Sequence, residues 1–430
     1  MSVRTTRLPS GLRILTDTMP SVGTASIGVH VAVGSRHESA AENGLSHLIE
    51  HMAFKGTRRR TARAIAEEIE SAGGDLNAAT ASEHTFYQAR VLPEDVGLAL
   101  EILGDILTDS LFDPQELERE KGVILQEIGA VEDTPDDLVF DLFDAAAFPD
   151  QPLGRPILGR PEQVTGFSPA DIRAYLARFY GANALIVSGA GAIDHDAVAA
   201  HAERLFAGAA QVAPATPAPA RYGGGERIVK RRIEQANMVI GFEGFGHAHA
   251  RSYAAHVFAN AVGGGMASRL FQEVREKRGL AYAIYAFNWS YADTGLFGFY
   301  AAANPRDMHD LTAVALDCLS AALEDLSEDE MRRAKAQMKV SLLAALESSP
   351  ARAEQIARQT EIFGRVLQRA EIVREIDALT LEEVRAAGRV MLAGAPTVAA
   401  VGPGGKILSA DRVAARLRAP SSPPRTPSSV

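Results

Sequence analysis

A run of proline and alanine closed by three glycines, Gln211-Val-Ala-Pro-Ala-Thr-Pro-Ala-Pro-Ala-Arg-Tyr-Gly-Gly-Gly225, cuts this chain of 430 residues almost in half. Such a composition favours semi-extended backbone over helix or central strand. The chain is also too long for one ordinary hydrophobic core, so two or more domains are expected. The reading is a first half over residues 1–212, a linker over 213–225, a second half over 226–418, and a low-complexity, disordered tail over 419–430 rich in Pro and Ser.

The two halves read as a diverged repeat. Each opens with an apolar or alternating strand, Ser26-Ile-Gly-Val-His-Val-Ala-Val33 and Asn237-Met-Val-Ile-Gly-Phe242. Each then enters a helix, from Leu45 and from about Ser252, and a second helix that stops near a glycine, over 62–72 before Gly73 and over 268–277 before Gly279. A pair of strands follows, including 85–91 in the first half, and 282–287 with 295–301 in the second. Next comes a helix opened by Pro93-Glu-Asp or Pro305-Arg-Asp. Strands and long helices in this order predict an α+β fold of two homologous α/β halves, each a mainly antiparallel sheet with helices packed on one face.

Only the first half carries a recognisable metal pattern. His47-Leu-Ile-Glu50-His51 sets two imidazoles four residues apart with a carboxylate beside the second. Positions i and i+4 of a helix share a face, so one zinc ion can be held by both rings. Asn43-Gly44-Leu45-Ser46 supplies a turn and cap, and Leu48, Ile49, Met52, Ala53 and Phe54 supply an apolar body. The order His-x-x-Glu-His inverts the commoner zinc helix. A catalytic zinc needs a third protein ligand and an open fourth position. Downstream, Glu120 and Glu127 lie seven apart on one helix face, and that face can meet the first helix across a metal.

These motifs resemble the pitrilysin/insulinase family of zinc metallopeptidases, nearest its mitochondrial-processing-peptidase-like branch. The likeness runs from about residue 3 to residue 405. It includes His51-Met-Ala-Phe-Lys-Gly-Thr57, Gly74-Asp-Leu-Asn-Ala78, Arg119-Glu-Lys-Gly-Val-Ile-Leu-Gln-Glu127, Gln151-Pro-Leu-Gly-Arg-Pro-Ile-Leu-Gly159 and Arg275-Glu-Lys-Arg-Gly-Leu-Ala-Tyr282. The resemblance implies one zinc per chain on His47, His51 and Glu127, with Glu50 as general base and Glu120 orienting a ligand histidine. It implies that Arg275 and Tyr282 reach the active site from the second half. There a phenol and a guanidinium suit a developing oxyanion and neighbouring substrate carbonyls. It also implies that Asn77 and Ala78 hold an extended peptide at a strand edge. Gly263, Gly264 and Gly265 look similar to a shortened glycine-rich substrate loop. They lack the spacing and the Lys of a phosphate loop.

The implied activity is zinc-dependent endopeptidase action on peptides or unfolded, presequence-like segments. The alternative is a non-catalytic structural or assembly subunit on the same fold, a role in which the metal pattern is typically lost. The resemblance implies four such domains around a cavity, so a homodimer, or a heterodimer with an inactive homologue, is expected. The net charge of −10 argues against nucleic acid as a partner. No apolar run reaches the roughly 18 residues of a membrane span, and the start Met1-Ser-Val-Arg-Thr-Thr-Arg7 has no apolar segment of a secretory signal behind it. A cytoplasmic location is therefore expected. The single cysteine, Cys318, excludes an intrachain disulfide and reads as a small apolar residue on an amphipathic helix.

Overall fold

In a computed structural model, residues 3–403 and 406–418 are described, and the expected tail over 419–430 lies outside them. Among the described residues, eleven strands form two sheets. The first contains β1 (Val3–Arg7), β2 (Arg13–Thr18), β3 (Ala25–Val31), β4 (Asp75–Thr80), β5 (Thr85–Val91) and β6 (Leu185–Gly191), in the order β1-β2-β6-β3-β5-β4. The second contains β7 (Gly225–Lys230), β8 (Ala236–Gly244), β9 (Ala283–Ser290), β10 (Gly295–Ala303) and β11 (Thr397–Gly402), in the order β7-β11-β8-β10-β9. Only β2–β6 and β7–β11 run parallel; every other pairing is antiparallel. Leaving out β1, the two sheets have the same order and the same strand directions, which is the repeat in structural form. Residues 209–224 form neither helix nor strand.

Two compact units are built on these sheets, and each is discontinuous. Among the described residues, the first comprises 3–130, 155–218 and 342–367; the second comprises 131–154, 219–341, 368–403 and 406–418. Five helices follow the first strands: α1 (Leu45–Ala53), α2 (Ala62–Ser71), α3 (Val96–Thr108), α4 (Pro114–Asp133) and α5 (Pro135–Ala147). The linear halves thus each give a helix to the other unit. Helix α5, from the first half, packs on the second sheet. The helix Ser349–Phe363, from the second half, packs on the first.

This exchange explains why the central strands are buried on both faces. In β3, Ile27, Val29 and Val31 join the main core with Leu48, Leu100, Leu103 and Ile124. On the opposite face Leu15 and Ile186 pack against Ile356 and Ala357 of the exchanged helix. In the second unit, Met238, Ile240 and Phe242 face the main core, whereas Val239, Leu296 and Val401 meet Val139 and Phe143 of α5. Strands covered on both sides read as near-continuous apolar runs. The exchanged helix is locally well specified. Ser348 caps the Ala351 N–H, Pro350 sits in the first turn and Gly364 ends the helix with φ 69°. It is tied to the first sheet by an Arg352–Asp17 pair at 2.7 Å and by His30 Nε2 with Glu361 Oε2 at 2.6 Å.

Helix α5 carries a destabilising feature. Burial pushes the Asp144 carboxyl well above the usual carboxylate range, with Asp141 adding to it, and Asp144 Oδ1 has no hydrogen-bond partner. Burial and then Asp137 also push Asp141 up to about 6. A raised carboxyl pKa means that the fold prefers the neutral acid. Its cost is absent below the ordinary value near 3.8 and grows as pH rises through the folded-state pKa. Asp144→Asn should therefore raise the melting temperature by about 3 °C or more at pH 7 and by less at pH 4. Thermal unfolding at the two pH values checks this, and an equal shift at both would contradict it.

Candidate metal centre

The first unit contains the inverted motif on α1. Leu45, Leu48, Ile49 and Met52 are buried in its core, which fixes the helix's rotation and turns His47, Glu50 and His51 away from those apolar side chains together. Helix α4 buries Leu117, Ile124 and Ile128 in the same core. Its Glu120 and Glu127 are brought to the two histidines by that packing.

One donor atom from each of His47, His51 and Glu127 lies within 4.8 Å of the other two, and no other such group of three occurs among the described residues. Glu127 Oε2 is 3.7 Å from His47 Nε2 and 3.5 Å from His51 Nε2. Tetrahedral zinc with bonds of about 2.0–2.1 Å separates its ligands by roughly 3.3 Å. Both separations from Glu127 are close to that spacing. Glu127 Oε2 is buried and has no hydrogen-bond partner, so a cation would satisfy it. The set of two nitrogens and one carboxylate oxygen suits zinc and leaves a fourth position open.

Of the two rings, that of His51 is held by a neighbouring carboxylate. Glu120, 6% exposed, places Oε2 3.1 Å from His51 Nδ1 and Oε1 2.6 Å from Lys55 Nζ. A ring that donates from Nδ1 to this carboxylate presents Nε2 as its ligating nitrogen. Burial, then the neighbouring His51, lowers the His47 pKa to about 4, so this imidazole is neutral at ordinary pH. Glu50 is tethered by Thr80 at the end of β4, whose hydroxyl donates to Glu50 Oε2 at 2.5 Å. The sequence reading did not single out Thr80. Its only signal was its place on the strand after Asn77 and Ala78.

The remaining site residues are placed as follows. Strand β4 is one of the two outer strands of its sheet, and Asn77 Oδ1 accepts from the Ala78 N–H at 2.9 Å. Arg275 and Tyr282 belong to the second unit. Arg275 lies within the π-helical turn Phe271–Glu276 with its guanidinium 4.9 Å from the Phe271 ring centre, and Tyr282 is 56% exposed just before β9. Gly263 and Gly264 end the helix Ser252–Gly263. A Cβ on Gly263 would meet Ala286 at 2.5 Å, and one on Gly264 would meet Asn260 Oδ1 at 1.7 Å, so close packing accounts for both without a ligand. Gly265 faces Gln337. Burial pushes the Cys318 thiol up to about 12, which leaves it unreactive.

Two imidazoles and a carboxylate on facing helices, with a tethered carboxylate beside them, define a site of the zinc-hydrolase kind. The comparisons give the lineage. Residues 13–161 match the family described as insulinase (peptidase family M16), and residues 166–338 match the peptidase M16 inactive domain. The chain therefore belongs to the insulinase family, peptidase family M16. A Streptomyces coelicolor protein named as an uncharacterized zinc protease is 40% identical over 94% of this chain and 90% of its own length. One so named in Rickettsia felis is 39% identical over 92% and 97%, and one in Bacillus subtilis is 36% identical over 93% and 98%. A chain of complex III2 from Candida albicans, in a structure with Inz-5 bound, superposes with a TM-score of 0.86 at 24% identity, covering 97% of this chain and all of that one. That likeness is one of fold. Among the described residues no helix is long and apolar enough to cross a membrane.

Proposed function

We propose that the chain is a zinc-dependent endopeptidase acting on peptides or unfolded segments, with His47, His51 and Glu127 holding one zinc ion. The observation that carries this reading is the convergence of those three donor atoms within 4.8 Å. The zinc-protease names of relatives at 36–40% identity support it. Held by these three residues, a zinc ion would supply acidification of water and polarisation of a peptide carbonyl. Glu50 takes the proton of the attacking water and delivers it to the leaving amine. Thr80 occupies Oε2, so Oε1 is the oxygen that handles the proton. An extended peptide added to the open edge of β4 would put its backbone beside Glu50, with Asn77 and Ala78 as its partners. Arg275 and Tyr282 are proposed to donate to substrate oxygens.

The test pairs metal analysis with digestion of a random peptide pool by wild type and Glu50→Gln. Zinc at one per chain with chelator-sensitive cleavage supports the reading, and chelator-resistant cleavage refutes it. The tether gives a finer prediction. Thr80→Val should lower kcat about tenfold with zinc content unchanged, and Thr80→Ser should restore most of it. Equal activity of the Val and wild-type proteins would remove Thr80 from the mechanism. Two copies of the chain are proposed to enclose the substrate. Light scattering should give twice the 45.8 kDa chain mass, and a monomer that cleaves at the full rate would contradict this.

A further inference from the structure

Helix α1 lacks a side-chain cap of its own. It starts behind Gly44, whose φ is 95°, and Gly44 offers no oxygen to the first-turn N–H groups. One of those groups, the Ser46 N–H, is met instead by Glu38, eight residues earlier, which also takes the N–H of Gly44 itself. Glu38 Oε2 accepts from the Gly44 N–H at 2.9 Å, and Oε1 accepts from the Ser46 N–H at 2.7 Å. The carboxylate is 2% exposed and sits at the positive end of the helix, where negative charge is favoured. Burial raises its pKa, and the bonds from Ser46 and Gly44 pull it back down.

The turn Arg155–Gly159 braces this arrangement. It lies in the Gln151–Gly159 motif, which no step of the proposed reaction uses. Asn43 Nδ2 donates to the Pro156 carbonyl at 2.9 Å, and the Arg155 guanidinium donates to the Glu38 carbonyl at 2.5 Å. Gly44 and Gly159, both at positive φ, touch so closely that a Cβ on Gly44 would stand 2.7 Å from Gly159 Cα. On the other side the Ser46 hydroxyl shares a hydrogen bond of 2.8 Å with the Tyr175 hydroxyl. Ser46 immediately precedes His47 and stands one turn before Glu50. The buried apolar face fixes the rotation of this nine-residue helix, and the remote carboxylate holds its first turn in place.

We propose that Glu38 is a positioning residue for the metal centre, seating the first turn of α1 against the Arg155–Gly159 turn and thereby aiming His47, Glu50 and His51. The inference rests on the zinc reading above. It accounts for two stretches, 36–46 and 155–159, that touch neither metal nor substrate in that reading.

The experiment uses the full chain with Glu38→Gln, which keeps the volume but replaces one acceptor by an NH2 group, and Glu38→Ala, which removes both. Zinc affinity is measured by competition with a chromophoric chelator. Then kcat and KM are measured at saturating zinc on a peptide cleaved by wild type, with circular dichroism to check the fold. Glu38→Gln should bind zinc about tenfold more weakly and lose about tenfold in kcat with KM unchanged, and Glu38→Ala should lose more of both. A folded Glu38→Gln protein with a lower melting temperature but wild-type zinc affinity and kcat would overturn the proposal, because the cap would then serve stability alone. If Glu38→Gln does not fold, Gly159→Ala presses on the same cap, its Cβ meeting the Asn43 carbonyl at 2.6 Å, and carries the same expectation. Wild-type protein that takes up no zinc defeats the metal reading and this inference with it. Zinc uptake and cleavage by wild type, with indifferent Glu38 variants, defeats this inference alone.

Discussion

Glu50→Gln should leave zinc bound and reduce turnover by about a thousandfold or more. An amide cannot accept the proton of the attacking water, and loss of a positioned general base costs 10²–10⁴ in rate. The substitution is close to isosteric, and the amide oxygen can still accept from the Thr80 hydroxyl that now binds Glu50 Oε2. The side chain should therefore stay in place, which separates loss of chemistry from loss of structure. Metal analysis must show the wild-type stoichiometry. Cleavage by the zinc-loaded variant at the wild-type rate would refute the base assignment.

His47→Ala, His51→Ala and Glu127→Ala should each weaken zinc binding by at least a hundredfold. Each removes one of only three protein donors, and the open fourth position offers no protein group in compensation. Glu120→Gln should behave differently. It leaves all three donors in place and removes only the acceptor at His51 Nδ1, so a loss of about tenfold is expected. Chelator competition on the four proteins measures the series. A Glu127→Ala protein with wild-type affinity would mean that the carboxylate does not ligate, and the site would lack its third donor.

Much of the local structure was readable in the residues. The helix expected from Leu45 is α1, the strand expected over 85–91 is β5, and the strands expected over 237–242 and 295–301 are β8 and β10 with slightly longer ends. These elements announce themselves because their apolar side chains recur with the helix or strand period. The two exchanged helices did not. Asp136, Asp137, Asp141 and Asp144 make α5 look solvated, and yet Val139 and Phe143 lie fully buried in the second unit's core. Periodicity shows that a helix has an apolar face but not which sheet that face covers.

The sequence by itself determined the repeat, the two-imidazole helix and the types of donor atom available to a metal, because spacing along a helix decides which side chains share a face. Only the tertiary structure decided that Glu127 comes within 3.7 Å of both rings, that Thr80 grips Glu50 and that Glu38 caps the metal helix. Those contacts join residues 8 to 80 positions apart on different elements. Their geometry comes from burying apolar faces in a common core, and that packing has no period in the chain.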